Sequence, residues 1–133
     1  MTLTTWKSGK CLIWDTTVAD TVCQSYVDQC SKKVGAAAEA RENSKTSKYT
    51  GLSESYWFTS VGVETFGSWG SEGHKLVKEI GKKVMEETGE KRSAFFLFQS
   101  ISIAIQRGNA SCVLGTVPHS EGLEEIFEFA SNA

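Results

Sequence analysis

Residues 11–18 read Cys11-Leu12-Ile13-Trp14-Asp15-Thr16-Thr17-Val18, an apolar and β-branched run that predicts a largely buried, central strand. Asp15 interrupts it. A carboxylate inside such a strand is costly unless it is paired, protonated or set on a ligand, so the partner of Asp15 decides what the strand is for. Upstream, Thr2 to Trp6 is a second β-rich run and Lys7-Ser8-Gly9-Lys10 supplies a turn, which together predict a hairpin. Downstream, Asp20 or Thr21 is placed to cap a helix whose apolar face is Val22, Cys23, Tyr26, Val27, Cys30 and Val34, with a kink expected at Gly35.

Ala36 to Leu52 is rich in helix formers. At 100° per residue Arg41, Lys45 and Lys48 fall within roughly 60° of one another, a basic stripe with Tyr49 and Leu52 beside it. Tyr56 to Glu64 predicts a third strand, followed by a turn over Phe66-Gly67-Ser68-Trp69-Gly70. Ser71 is placed to cap a long helix with Leu76, Val77, Ile80, Val84 and Met85 on its core face and Gly89 past its end. A further helix is expected from Ser93 to Gly108, apolar almost all round and therefore buried, with a polar stripe of Gln99, Ser102 and Gln106. The alternation at Ile101, Ile103 and Ile105 also suits a strand. Asn109 to Gly115 adds another helical turn or two. After Pro118, Leu123, Ile126, Phe127 and Ala130 share a face opposite Glu121, Glu124, Glu125 and Glu128, the pattern of an acidic amphipathic helix. The expected organisation is one α/β domain over residues 1–117 and this acidic segment over 118–133.

A chain of 133 residues with 40% hydrophobic and 23% charged side chains can form one core. Its net charge of −2 supplies no general attraction to a polyanion, but the imbalance is local. Setting aside the four C-terminal glutamates leaves twelve acids against fourteen bases. No apolar run approaches a membrane span or the core of a signal sequence, so intracellular residence, nuclear or cytoplasmic, is expected and glycosylation at Asn109-Ala110-Ser111 is not. Cys11, Cys23, Cys30 and Cys112 form no Cys-x-x-Cys pair, which argues against structural zinc and for reduced thiols.

Three groups of residues could carry chemistry. Asp15 on a strand with Lys48 on a helix is part of what a metal-dependent nuclease needs, a carboxylate to hold Mg²⁺ and a lysine at the scissile phosphate. The plainer alternative is that Asp15 pairs with a neighbouring lysine. Glu64 sits at a strand end, where α/β sheets gather ligands, although a bond to nearby backbone also explains a carboxylate there. His74 and His119 have neither ligand spacing nor an adjacent nucleophile and read as surface residues.

Five strings occur in order: Leu-Ile-Trp-Asp-Thr-Thr-Val at 12–18, Lys-Tyr-Thr-Gly-Leu at 48–52, Val-Gly-Val-Glu-Thr-Phe-Gly-Ser-Trp-Gly at 61–70, Leu-Val-Lys-Glu-Ile-Gly at 76–81 and Ser-Ile-Ala-Ile-Gln-Arg-Gly-Asn-Ala at 102–110. Over residues 2–117 they resemble the C-terminal segment that follows the reverse transcriptase domain in retrotransposon-derived open reading frames of invertebrate genomes. That segment is in turn similar to a degenerate PD-(D/E)XK nuclease. The resemblance implies a truncated restriction-endonuclease-like core of about three strands with flanking helices, helix-dominated. It implies Asp15, Lys48 and Glu64 as catalytic positions, Asp15 as the Mg²⁺ ligand, and Arg41, Lys45 and Lys48 as contacts to DNA or RNA. Thr17 stands where the motif has lysine, and the resemblance carries that lysine over to Lys48 on the following helix. Relatives place a Pro-Asp turn with a first metal carboxylate just upstream of the position of Met1. The expectation is therefore a fragment of a longer frame, carried beside a reverse transcriptase domain, with weak or absent cleavage. The alternative is a non-catalytic interaction module that uses the acidic segment.

Overall fold

The computed structural model describes residues 1–116; the acidic segment over 118–133, with His119, lies outside the described residues. The fold is mixed α/β and helix-rich. Strand β1 (Leu12–Ala19) leads through a short helix α1 (Val27–Cys30) into α2 (Ala36–Lys48) and a 3₁₀ turn at Thr50–Glu54. Strand β2 (Trp57–Glu64) follows, then α3 (Ser71–Thr88) and α4 (Ser93–Leu114). β1 and β2 pair in parallel, with Leu12 opposite Trp57 and Ala19 opposite Glu64. A parallel pair needs a crossover, and α2 is the helix that supplies it.

Pleating divides the sheet into two faces. Asp15 on β1 and Phe58, Gly62 and Glu64 on β2 meet α2 and the tyrosine that follows it. On the other face Leu12 and Val61 join Leu76 of α3 in the apolar core, with Trp6, Trp69 and Ile80 packed against it. α3 ends at Gly89 in the left-handed conformation, as the sequence predicts.

Several expectations are corrected. The described residues hold two strands rather than three. Thr2 to Trp6 does not form a strand, because the turn closes locally through Trp6 N–H to the Lys10 carbonyl at 2.8 Å and a single bridge between Lys7 and Lys10. The turn is fastened elsewhere: Trp57 Nε1 donates to the Lys7 carbonyl at 3.0 Å, and Lys7 pairs with Glu79 at 2.7 Å. The long helix expected after Asp20 shrinks to the four residues of α1, and Val22, Val27 and Val34 are exposed rather than in the core. Asp20 instead accepts from Val22 N–H at 3.1 Å, an Asx turn that competes with helix initiation. Ser71 does not cap α3. Gly70 occupies that position, and the cap arrives from another element.

Helix α4 is one continuous helix of 22 residues, so the strand alternative at Ile101–Ile105 falls and Gly108 does not end it. The expected burial is also corrected. Ser93 is its one buried residue, while Phe95, Phe96, Ile103, Val113 and Leu114 are exposed. Among the described residues it packs against α3 and the turn before it, where His74 and Trp69 contact Phe98 at 4.9 and 5.3 Å between ring centroids. Asn109 Nδ2 adds a tie to the Thr65 carbonyl at 2.7 Å. None of the described helices is long and apolar enough to cross a membrane.

Candidate nucleic-acid interface and the buried carboxylates

Asp15 has a partner, and it is Lys45. The α2 ammonium donates to Asp15 Oδ2 at 2.8 Å, with both side chains about one-third exposed. The hydrogen bond and the charge of Asp15 raise the pKa of Lys45 above the ordinary lysine value, against a smaller opposing effect of desolvation. Lys48 is directed elsewhere, its ammonium 5.2 Å from the Tyr49 ring centroid. Arg41 lies similarly over Tyr26 at 5.5 Å. Both bases are exposed. The stripe is thus a row of three bases along α2, the outer two on aromatic rings and the middle one on Asp15.

Glu64 has no part in this row. The register sets Asp15 opposite Ser60 and Glu64 opposite Ala19, about 13 Å apart along the strand direction. Glu64 is also only 1% exposed. Its Oε1 accepts from Ala37 N–H at 3.0 Å and from Ala38 N–H at 3.4 Å, the first turn of α2. Thr21 Oγ1 reaches Oε2 at 3.4 Å, and the Cys30 thiol lies 3.7 Å from Oε1. A carboxylate on the unpaired N–H groups at a helix start satisfies orphan donors and the helix dipole together. Gly35, left-handed at φ 80°, begins α2 without a capping side chain, so Glu64 takes that role.

Glu42, which the sequence reading passed over, is the same device repeated. It too is 1% exposed. Its Oε1 accepts from Gly62 N–H at 2.9 Å and Gly73 N–H at 2.8 Å, and Oε2 from Glu72 N–H at 3.0 Å. Glu64 on β2 therefore caps α2, and Glu42 on α2 caps α3. Room for Glu42 comes from glycine. A Cβ at Gly62 would stand 2.6 Å from the Ala38 carbonyl oxygen and 2.9 Å from Glu42 Cγ, and one at Gly70 would overlap the carboxylate itself. Its donors come from β2 and the start of α3, so no local spacing in the sequence marks it.

Beside Asp15 lies Ser60, 1% exposed, whose Oγ has no hydrogen-bond partner among the described residues. His74 stays on the surface against Phe98, as expected. All four cysteines are free thiols.

A resident Mg²⁺ does not fit this donor set. Among the described residues Asp15 is the one carboxylate paired at the stripe, one of its oxygens carries the Lys45 ammonium, and Glu42 and Glu64 are committed to backbone donors. Among the described residues no group of three or more His, Cys, Asp or Glu is placed to hold a metal ion. The chain matches no family model, no curated protein and no solved structure.

Proposed function

We propose that the chain is the remnant of a retroelement-encoded nuclease-like domain that binds nucleic acid along α2 and does not cleave it at this site. The observation that carries the reading is the row of Arg41, Lys45 and Lys48 gathered beside a strand carboxylate, with Tyr26 and Tyr49 beneath its outer members. Bases spaced along one helix face neutralise successive phosphates, and the rings offer surfaces on which unpaired bases stack. Asp15 acts on binding through Lys45, by holding the central ammonium down on the sheet. The reverse transcriptase domain of a longer frame is the protein partner this reading implies.

The test is fluorescence anisotropy of a labelled single-stranded oligonucleotide at low salt, where phosphate contacts are strongest. Arg41→Glu with Lys48→Glu is expected to abolish binding. Asp15→Asn, which removes a negative charge and frees Lys45, is expected to tighten it several-fold. Undetectable binding by the unsubstituted chain to both DNA and RNA would sink the proposal. So would Mn²⁺- or Mg²⁺-dependent cutting of plasmid DNA that is lost on Asp15→Asn, because that outcome makes Asp15 a metal ligand.

A further inference from the structure

The N-terminal end of α4 crosses α3 where Gly81 meets Ala94. A Cβ at Gly81 would lie 2.6 Å from the Ala94 methyl, so small side chains set the close approach. A groove of about 450 Å³ opens there. Its floor includes Gly81, Met85 and Ala94, and Lys78, Lys82 and Lys91 stand at its rim. Lys78 and Lys91 form no ion pair among the described residues, and Lys82 reaches Glu86 only at 3.8 Å. Glu79, the carboxylate on that rim, is already paired with Lys7. An apolar floor between lysines fits an amphipathic acidic segment better than a phosphate backbone, which has no apolar face to bury.

We propose that this groove is the docking site of the chain's own C-terminal residues 119–133. Charge and apolar patterning both match: Glu121, Glu124, Glu125 and Glu128 face the lysine rim while Leu123, Ile126, Phe127 and Ala130 cover the floor. The reach is sufficient. Ala94 lies about 30 Å back along α4 from Leu114. The seventeen residues after Thr116 span about 26 Å if wholly helical and about 56 Å if wholly extended, which brackets that separation. This docking is independent of the nucleic-acid reading.

A zero-length carbodiimide cross-linker joins a lysine to a carboxylate only at ion-pair distance. Applied to an equimolar mixture of ¹⁴N- and ¹⁵N-labelled full chains, it is expected to couple Lys78, Lys82 or Lys91 to a C-terminal glutamate in peptides of a single isotope. Phe127→Asp is expected to lower that yield about tenfold or more, the loss of one buried aromatic, without disturbing any described element. Lys78→Glu with Lys82→Glu should abolish it, and adding Glu124→Lys with Glu125→Lys should restore coupling in the reversed sense. Mixed-isotope peptides would assign the groove to a second copy and overturn the proposal. Coupling to Lys45 or Lys48 instead, or no coupling of the C-terminal glutamates, would also overturn it.

Discussion

Two kinds of carboxylate meet between α2 and the sheet. Glu42 and Glu64 are sealed from water and surrounded by backbone donors that nothing else satisfies, whereas Asp15 is one-third exposed and holds one lysine. Burial with full hydrogen bonding makes an acid a structural fastener. Partial exposure and a single part-exposed partner leave an acid free to respond to a ligand. In this fold the acids at the helix starts belong to the architecture, and the acid in the middle of the strand belongs to the surface chemistry.

Removing Glu42 should break that contrast most severely. Glu42→Ala strands three N–H groups at the junction of β2 and α3, and the expected loss is about 3–5 kcal/mol by chemical denaturation. Glu64→Ala strands two backbone N–H groups rather than three, its other contacts being longer ones from Thr21 and Cys30, and about 2–4 kcal/mol is expected. A loss under about 1 kcal/mol in both variants would mean that water replaces the carboxylates, and that the distinction between the two kinds of acid is false.

Lys45→Met should move the unfolding midpoint far less than either glutamate variant, since a part-exposed ion pair is screened by water and salt. Its pH dependence has a definite sign. Asp15 raises the Lys45 pKa on folding, so the pair's contribution is complete below the ordinary lysine value of 10.5 and fades as pH rises through the raised value. The difference between Lys45→Met and the unsubstituted chain should therefore persist through neutral pH and close in strong alkali. A difference that closed between pH 5 and 8 would contradict the pairing. The smallest effect belongs to Ser60→Ala, which removes a buried hydroxyl that makes no bond among the described residues. It should be neutral or stabilising by up to about 1 kcal/mol in the same denaturation series.

Local sequence made the main elements of the fold legible where propensity and packing agree. β1, α2, β2 and the long α3 with its glycine stop follow from periodicity and punctuation, and so does the need of Asp15 for a partner. Propensity misled where tertiary fastening won. Thr2–Trp6 has strand composition, yet among the described residues it is tied only at its ends, Thr2 N–H to the Leu12 carbonyl and Trp6 N–H to the Lys10 carbonyl, and forms no ladder. The apolar circumference of α4 reads as burial, but the described residues provide one helix to cover it. Lys45 rather than Lys48 meets Asp15 because a residue one turn earlier lies over the middle of β1. Glu42 was illegible as a fastener because its donors, Gly62, Glu72 and Gly73, come from parts of the chain that only the fold brings together.

The salt dependence of oligonucleotide binding tests the role of the α2 row most directly. For a single strand each phosphate contact contributes about −0.7 to the slope of log Kobs against log salt. Replacing Arg41, Lys45 and Lys48 together with glutamine should flatten that slope by about 2 units. An unchanged slope, with binding intact, would place the nucleic-acid contacts elsewhere on the molecule and contradict the assignment of α2 as the interface.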